Sequence, residues 1–159
     1  MDSRAFLQQQ FAFTHQQVHY CVGDVTDEEA RRMPNATLSP IIWQVGHLAW
    51  IDTRIVGRID AAPKIVLPED YATLFGLGTG GPAAYPPFDA VLRTFDAAHE
   101  GMVRVLAEAD LDAMAPAPPI PGMWSCVGEM LGAANGNRWY HIGKVNTLRA
   151  LLGKPRLFG

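Results

Sequence analysis

An all-α fold, four long helices forming a four-helix bundle with a long crossover between the second and third, is what this sequence predicts. Three observations carry the prediction. Apolar residues recur at helical spacing in four separate windows. The period-two alternation of half-buried strands is almost absent. Proline and glycine fall between the four windows.

The first window runs from about Ser3 to Val22, where Leu7, Phe11, Thr14, Val18, Cys21 and Val22 share a face. Gly23-Asp24 ends it. Residues 27–32 read as one helical turn closed by Pro34. Ser39-Pro40 predicts the start of the second long helix, with serine as N-cap and proline at the first helical position, and the helix should reach about Ile59. Residues 61–87 form the long irregular crossover. Its run Gly76-Leu77-Gly78-Thr79-Gly80-Gly81 lacks the Gly-Lys-Ser/Thr of a phosphate loop and has no strand before it. Pro87 opens the third long helix, with Val91, Phe95, Met102, Val105, Leu106 and Ala109 on its apolar face. Residues 115–121 are too proline-rich for helix. Ser125 should cap the fourth, and Gly153 followed by Pro155 should close it.

With 159 residues and 48% hydrophobic content the chain suffices for one core, so residues 1–159 are expected to form a single domain. A net charge of −3, with 13 scattered basic residues, gives no nucleic-acid footprint. The N-terminal MDSRAFLQQQ lacks the pattern of a signal peptide, and no run of 18 apolar residues would span a membrane. Cys21 and Cys126 are expected as free, buried thiols in a reducing cytoplasm.

Candidate chemistry lies where polar residues interrupt apolar stripes. On the fourth helix Val127, Met130, Ala134, Val145, Leu148 and Leu152 share a face with Asn137 and His141, one turn apart. An unpartnered buried polar group costs roughly 1–3 kcal/mol. A hydrogen-bond partner, a ligand or a metal must therefore meet that imidazole. Four-residue spacing suits two ligands aimed at one ion, although asparagine offers only a neutral oxygen. The second helix is apolar on two sides, with Ile41, Val45, Leu48, Asp52, Val56 and Ile59 on one stripe and Trp43, His47, Trp50, Ile51 and Arg54 on another. His47 lies between the small residues Gly46 and Ala49, which admit a close neighbour. His15-x-x-x-His19 also has ligand spacing, but its angles place it at a helix flank, His19 toward solvent. His99 reads as a core-edge histidine. Nothing matches a nucleophile elbow, a Cys-x-x-Cys zinc knuckle or the paired Glu-x-x-His of di-metal bundles.

Two segments, residues 39–50 (SPIIWQVGHLAW) and 140–155 (YHIGKVNTLRALLGKP), resemble the helix-two and C-terminal signatures of the DinB-like (DinB/YfiT) superfamily of bacterial four-helix-bundle proteins. The resemblance spans essentially the whole chain. It implies a divalent metal, zinc or nickel, held by one histidine on the second helix and two ligands four apart on the fourth. By position these are His47, Asn137 and His141. Asn137 stands where the family usually has histidine, and Lys144 replaces a customary glutamine. The family's activities include thiol-dependent transferases and isomerases using bacillithiol, mycothiol or glutathione.

These readings lead to a cytoplasmic, metal-dependent protein with a small-molecule substrate and transferase or hydrolase-type activity, its thiol cofactor and catalytic residues unassigned. The competing expectation is a non-catalytic member whose metal site is lost and whose bundle serves binding or assembly. The double-sided second helix further predicts a two-fold homodimer, unless the crossover folds back over it.

Overall fold

The computed structural model describes residues 2–59 and 65–158. Its helices are α1 (Ser3–Val22), α2 (Asp27–Arg31), α3 (Ile41–Val56), α4 (Tyr71–Phe75), α5 (Phe88–Glu108) and α6 (Val127–Leu151). Among the described residues there is no strand, only an isolated antiparallel bridge between Met114 and Cys126. The chain is all-α. The four long windows appear as α1, α3, α5 and α6.

The apolar faces fall where the spacing places them. α1 buries Leu7, Phe11, Thr14, Val18, Cys21 and Val22, and the Asp2 carboxylate caps it by accepting from the Ala5 N–H at 2.7 Å. α5 buries Val91, Phe95, Met102, Val105 and Leu106. α2 is held by a capping box in which Thr26 and Glu29 each accept from the other's backbone N–H.

The helix starts differ from expectation. α3 begins at Ile41, with Pro40 in the cap position and no side-chain cap. Ser39 supplies instead a backbone carbonyl, which accepts from Gln44 Nε2 at 3.2 Å. α3 ends at Val56 rather than near Ile59, and Gly57 is its C-cap. At α6 the cap position belongs to Cys126. Ser125 turns its N–H and Oγ onto Glu129 Oε2, at 2.6 and 2.7 Å. Cys126 is half-buried and Cys21 buried; both are free. Gly153, at φ +81°, closes α6, where the Lys154 N–H returns to the Arg149 carbonyl at 2.9 Å. Residues 61–64 of the expected irregular stretch lie outside the described residues. The remainder contains α4, whose five residues are too few to show a period.

The long helices pack in a ring: α1 beside α6, α6 beside α3, α3 beside α5, and α5 beside α1. Moving up α3 from Gln44 to Asp52, the partners on α6 move down from His141 to Arg138, so the two helices are antiparallel. α4 adds a cover on α3. All of α3 except Ile51, Thr53 and Arg54 is buried. The aromatic stripe that suggested a homodimer is covered within one chain: Trp43 and Trp50 are 8% and 9% exposed.

Candidate metal centre

His47 and His141, 94 positions apart in sequence, meet across the α3–α6 contact with ring centroids 5.0 Å apart. Each is 3% exposed. Helical spacing alone turns both inward, and what fixes them there is hydrogen bonding at one ring nitrogen each. His47 Nδ1 donates to the Phe75 carbonyl at 2.7 Å. His141 Nδ1 donates to Gln44 Oε1 at 2.6 Å. A carbonyl can only accept, so His47 carries its proton on Nδ1. Gln44 spends its amide nitrogen on the Ser39 carbonyl, which leaves its oxygen for His141 and sets the same tautomer there. Among the described residues neither Nε2 has a protein partner, so both lone pairs are free.

α4 and the glycine-rich loop after it build the walls. Phe75 fits because position 46 is glycine; a Cβ there would lie 2.2 Å from the Phe75 ring. That close approach sets the Phe75 carbonyl over His47. Trp43 stacks on His47 at 4.5 Å with planes 17° apart, and its Nε1 donates to Thr79 Oγ1 at 2.8 Å. Residues 76–81 thus orient an indole. Gly80 at φ +105° passes against Ser39, where a Cβ would meet the hydroxyl at 2.3 Å.

Burial dominates the electrostatics. It lowers the His47 pKa, against the Phe75 hydrogen bond and with help from Lys144. It pushes His141 down to about 3, with His47 and Lys144 adding to the effect. Both rings are neutral at neutral pH, the form a metal requires.

Asn137, the third expected ligand, lies one turn before His141 on α6. It is half-buried at the edge of the stripe rather than within it. Its Nδ2 is buried without a hydrogen-bond partner. The buried polar positions on this part of α6 are instead Asn135, Arg138 and His141. The Arg138 guanidinium is fully buried and pairs with Asp52 of α3 at 2.6 Å. Burial raises the Asp52 carboxyl, and Arg138 opposes that shift. A cleft of about 260 Å³ adjoins the Gln44–His141 contact, lined by Thr37, Ser39, Tyr140, Lys144 and Thr147 among others. A larger one, about 550 Å³, lies at the starts of α1 and α6, away from both imidazoles.

As a donor set, two neutral imidazoles with pinned Nδ1–H groups suit a borderline metal such as zinc. Asn137, the third expected ligand, would add no charge. No third histidine, thiolate or carboxylate joins this pair among the described residues; the one such trio is His15, His19 and Asp96, between α1 and α5. His15 and His19 lie at the helix flank as expected, His19 the more exposed, but they are not free there: both Nε2 atoms bond Asp96 Oδ1, at 2.8 and 2.6 Å. His99 is at the core edge as expected and stacks on His15 at 4.0 Å.

Sequence reasoning missed four residues that shape these places: Gln44, Phe75, Asp96 and Arg138. A signal existed for two of them, since Gln44 precedes His47 by one turn and Arg138 interrupts an apolar stripe.

The chain is thus an all-helical protein with a tautomer-locked histidine pair between two of its long helices. A family model of the DinB superfamily matches residues 10–145. The chain belongs to the DinB superfamily. No curated protein matches it.

Proposed function

We propose that this DinB-superfamily protein holds a divalent metal, zinc or nickel, on His47 Nε2 and His141 Nε2, with Asn137 as a weak third ligand. The observation that carries the reading is the hydrogen bonding at Nδ1. Both rings are oriented, neutral and free at the opposite nitrogen, the arrangement that outer-shell partners give to ligating histidines. Asn137 Nδ2 is buried without a hydrogen-bond partner, so a flip of the amide, which would turn Oδ1 to that position, sacrifices no hydrogen bond made by the nitrogen. Such a metal, when bound with an open position, lowers the pKa of a water or thiol. The chain's own residues contribute binding and exclusion of water. Trp43 and Trp50 shield His47, and Lys144, its ammonium over the Tyr140 ring at 4.6 Å, favours an anionic small molecule in the adjoining cleft. A thiol-dependent transferase or a hydrolase-type activity on such a molecule is the enzymatic form of this proposal. The same reading takes the four long helices as the family's four-helix bundle, residues 61–87 as its crossover, and the chain as one cytoplasmic domain.

A second reading, a non-catalytic bundle with a lost metal site, is favoured by the neutral Asn137 and by the cationic Lys144 beside His141. Elemental analysis of the purified protein, paired with zinc titration of wild type and variants, separates the two. The metal reading expects zinc or nickel that His141→Gln loses and Asn137→His holds more tightly. Wild type with no metal equivalent that His141→Gln removes, with one gained by Asn137→His, establishes the second.

A further inference from the structure

His15 and His19 stand four apart on α1, and Asp96 faces them from α5. Their ligating atoms all lie within 4.8 Å of one another. Three features make this a prepared site rather than a chance encounter. The spacing puts both imidazoles on one face, the usual geometry for two ligands from one helix. The carboxylate supplies the negative charge that the pair at His47 and His141 lacks. His15 is also held from behind, stacked on His99 at 4.0 Å with planes 12° apart and lying 5.3 Å from the Phe95 ring. His99 is fixed in turn by the Arg138 guanidinium, 3.4 Å from its Nδ1. The front is open, with the side chains of His15, His19 and Asp96 23%, 39% and 41% exposed.

We propose that His15, His19 and Asp96 form a second divalent-metal site, open to water and selective for zinc-class ions over calcium or magnesium. Two imidazole nitrogens among three ligands set that selectivity, because the hard cations require oxygen. Filling the site requires a small change. Both Nε2–H groups now donate to Asp96 Oδ1. Moving each proton to Nδ1 frees two Nε2 lone pairs with no change in net charge. Tetrahedral ligands with bonds of about 2.1 Å stand about 3.4 Å apart, so the present 2.8 and 2.6 Å contacts must open by less than about 1 Å. The exposed His19 and Asp96 side chains have room for that movement.

This inference does not rest on the His47–His141 reading, and one titration distinguishes the fates of both. Chelator-treated protein is titrated with zinc by calorimetry, alongside His19→Gln, Asp96→Asn and His141→Gln, with helicity checked for each. The expected result is that His19→Gln and Asp96→Asn each lose one zinc equivalent while His141→Gln keeps that equivalent. If wild type binds a single zinc with the same variant pattern, the second site stands and the proposal for His47 and His141 falls. If His19→Gln and Asp96→Asn titrate like wild type, or if wild type binds no zinc at millimolar concentration, the site at His15, His19 and Asp96 is overturned.

Discussion

Gly46 lies so close under Phe75 that the aromatic ring occupies the space of a side chain, 2.2 Å from where a Cβ would sit. The contact joins α3 to α4 and places the carbonyl that holds His47. In Gly46→Ala the ring must move and take that carbonyl with it. We expect a loss of about 1–3 kcal/mol in unfolding free energy, the usual cost of overpacking. A shifted His47 imidazole resonance in NMR spectra should accompany it. Unchanged stability and an unchanged resonance would show that α4 does not hold the histidine.

Gln44→Ala leaves α3 a good helix but removes the acceptor that orients His141. Zinc affinity at the His47–His141 pair should fall about 10–100-fold, as for other outer-shell partners of ligating histidines. Calorimetric titration in the His19→Gln background isolates this pair. An affinity equal to the parent's would mean that the His141 tautomer is set by something else.

Stability should decline with acid earlier than carboxylates alone require. Burial pushes His141 and His99 down to about 3 in the folded protein, against 6.5 for the free group. Between those values the unfolded chain binds more protons than the folded one, so stability falls as pH falls through the window and is flat above it. Thermal unfolding should show a level Tm from pH 8 to 7 and a decrease from about 6.5 downward. His141→Gln should decline less steeply between pH 6.5 and 5; an equal slope would place the titration on other groups.

The buried ion pair of Asp52 and Arg138 should punish half-removal. Arg138→Met leaves Asp52 buried without its partner, at a cost of about 3–5 kcal/mol. The double change Asp52→Leu with Arg138→Met should recover most of that loss. Chemical denaturation of the three variants gives the comparison, and additive losses in the double variant would refute the coupling.

With α3 covered by α4 and the loop behind it, the stripe leaves little beyond Ile51 for a second copy. Light scattering at micromolar concentration is expected to give the monomer mass. A dimer mass abolished by Ile51→Ser would instead support the two-fold homodimer through α3.

The helix faces were legible because a 3.6-residue period survives in any window of several turns, as α1 and α5 show. α4 was not, because five residues cannot display a period. The meeting of His47 with His141 was legible from polar residues on apolar stripes and from the family signature. Their anchors were harder: His47 is held by a backbone carbonyl, which every residue carries, so nothing in the letter Phe75 announces it. The role of Asp96 depends on α1 lying beside α5, and no local pattern encodes which helices become neighbours. Ser39 and Ser125 looked like caps, but Pro40 and Cys126 took the cap positions and the serines found other partners.

The Asp52–Arg138 pair also acts as an alignment pin. Sliding α3 past α6 by one helical turn, about 5.4 Å, would keep carbon against carbon over much of the interface. It would also strand two buried charges, several kcal/mol that no hydrophobic contact in the shifted arrangement returns. One register is therefore strongly preferred. In that register His47 and His141 face each other, so a pair of residues that touches neither ring sets the distance between them.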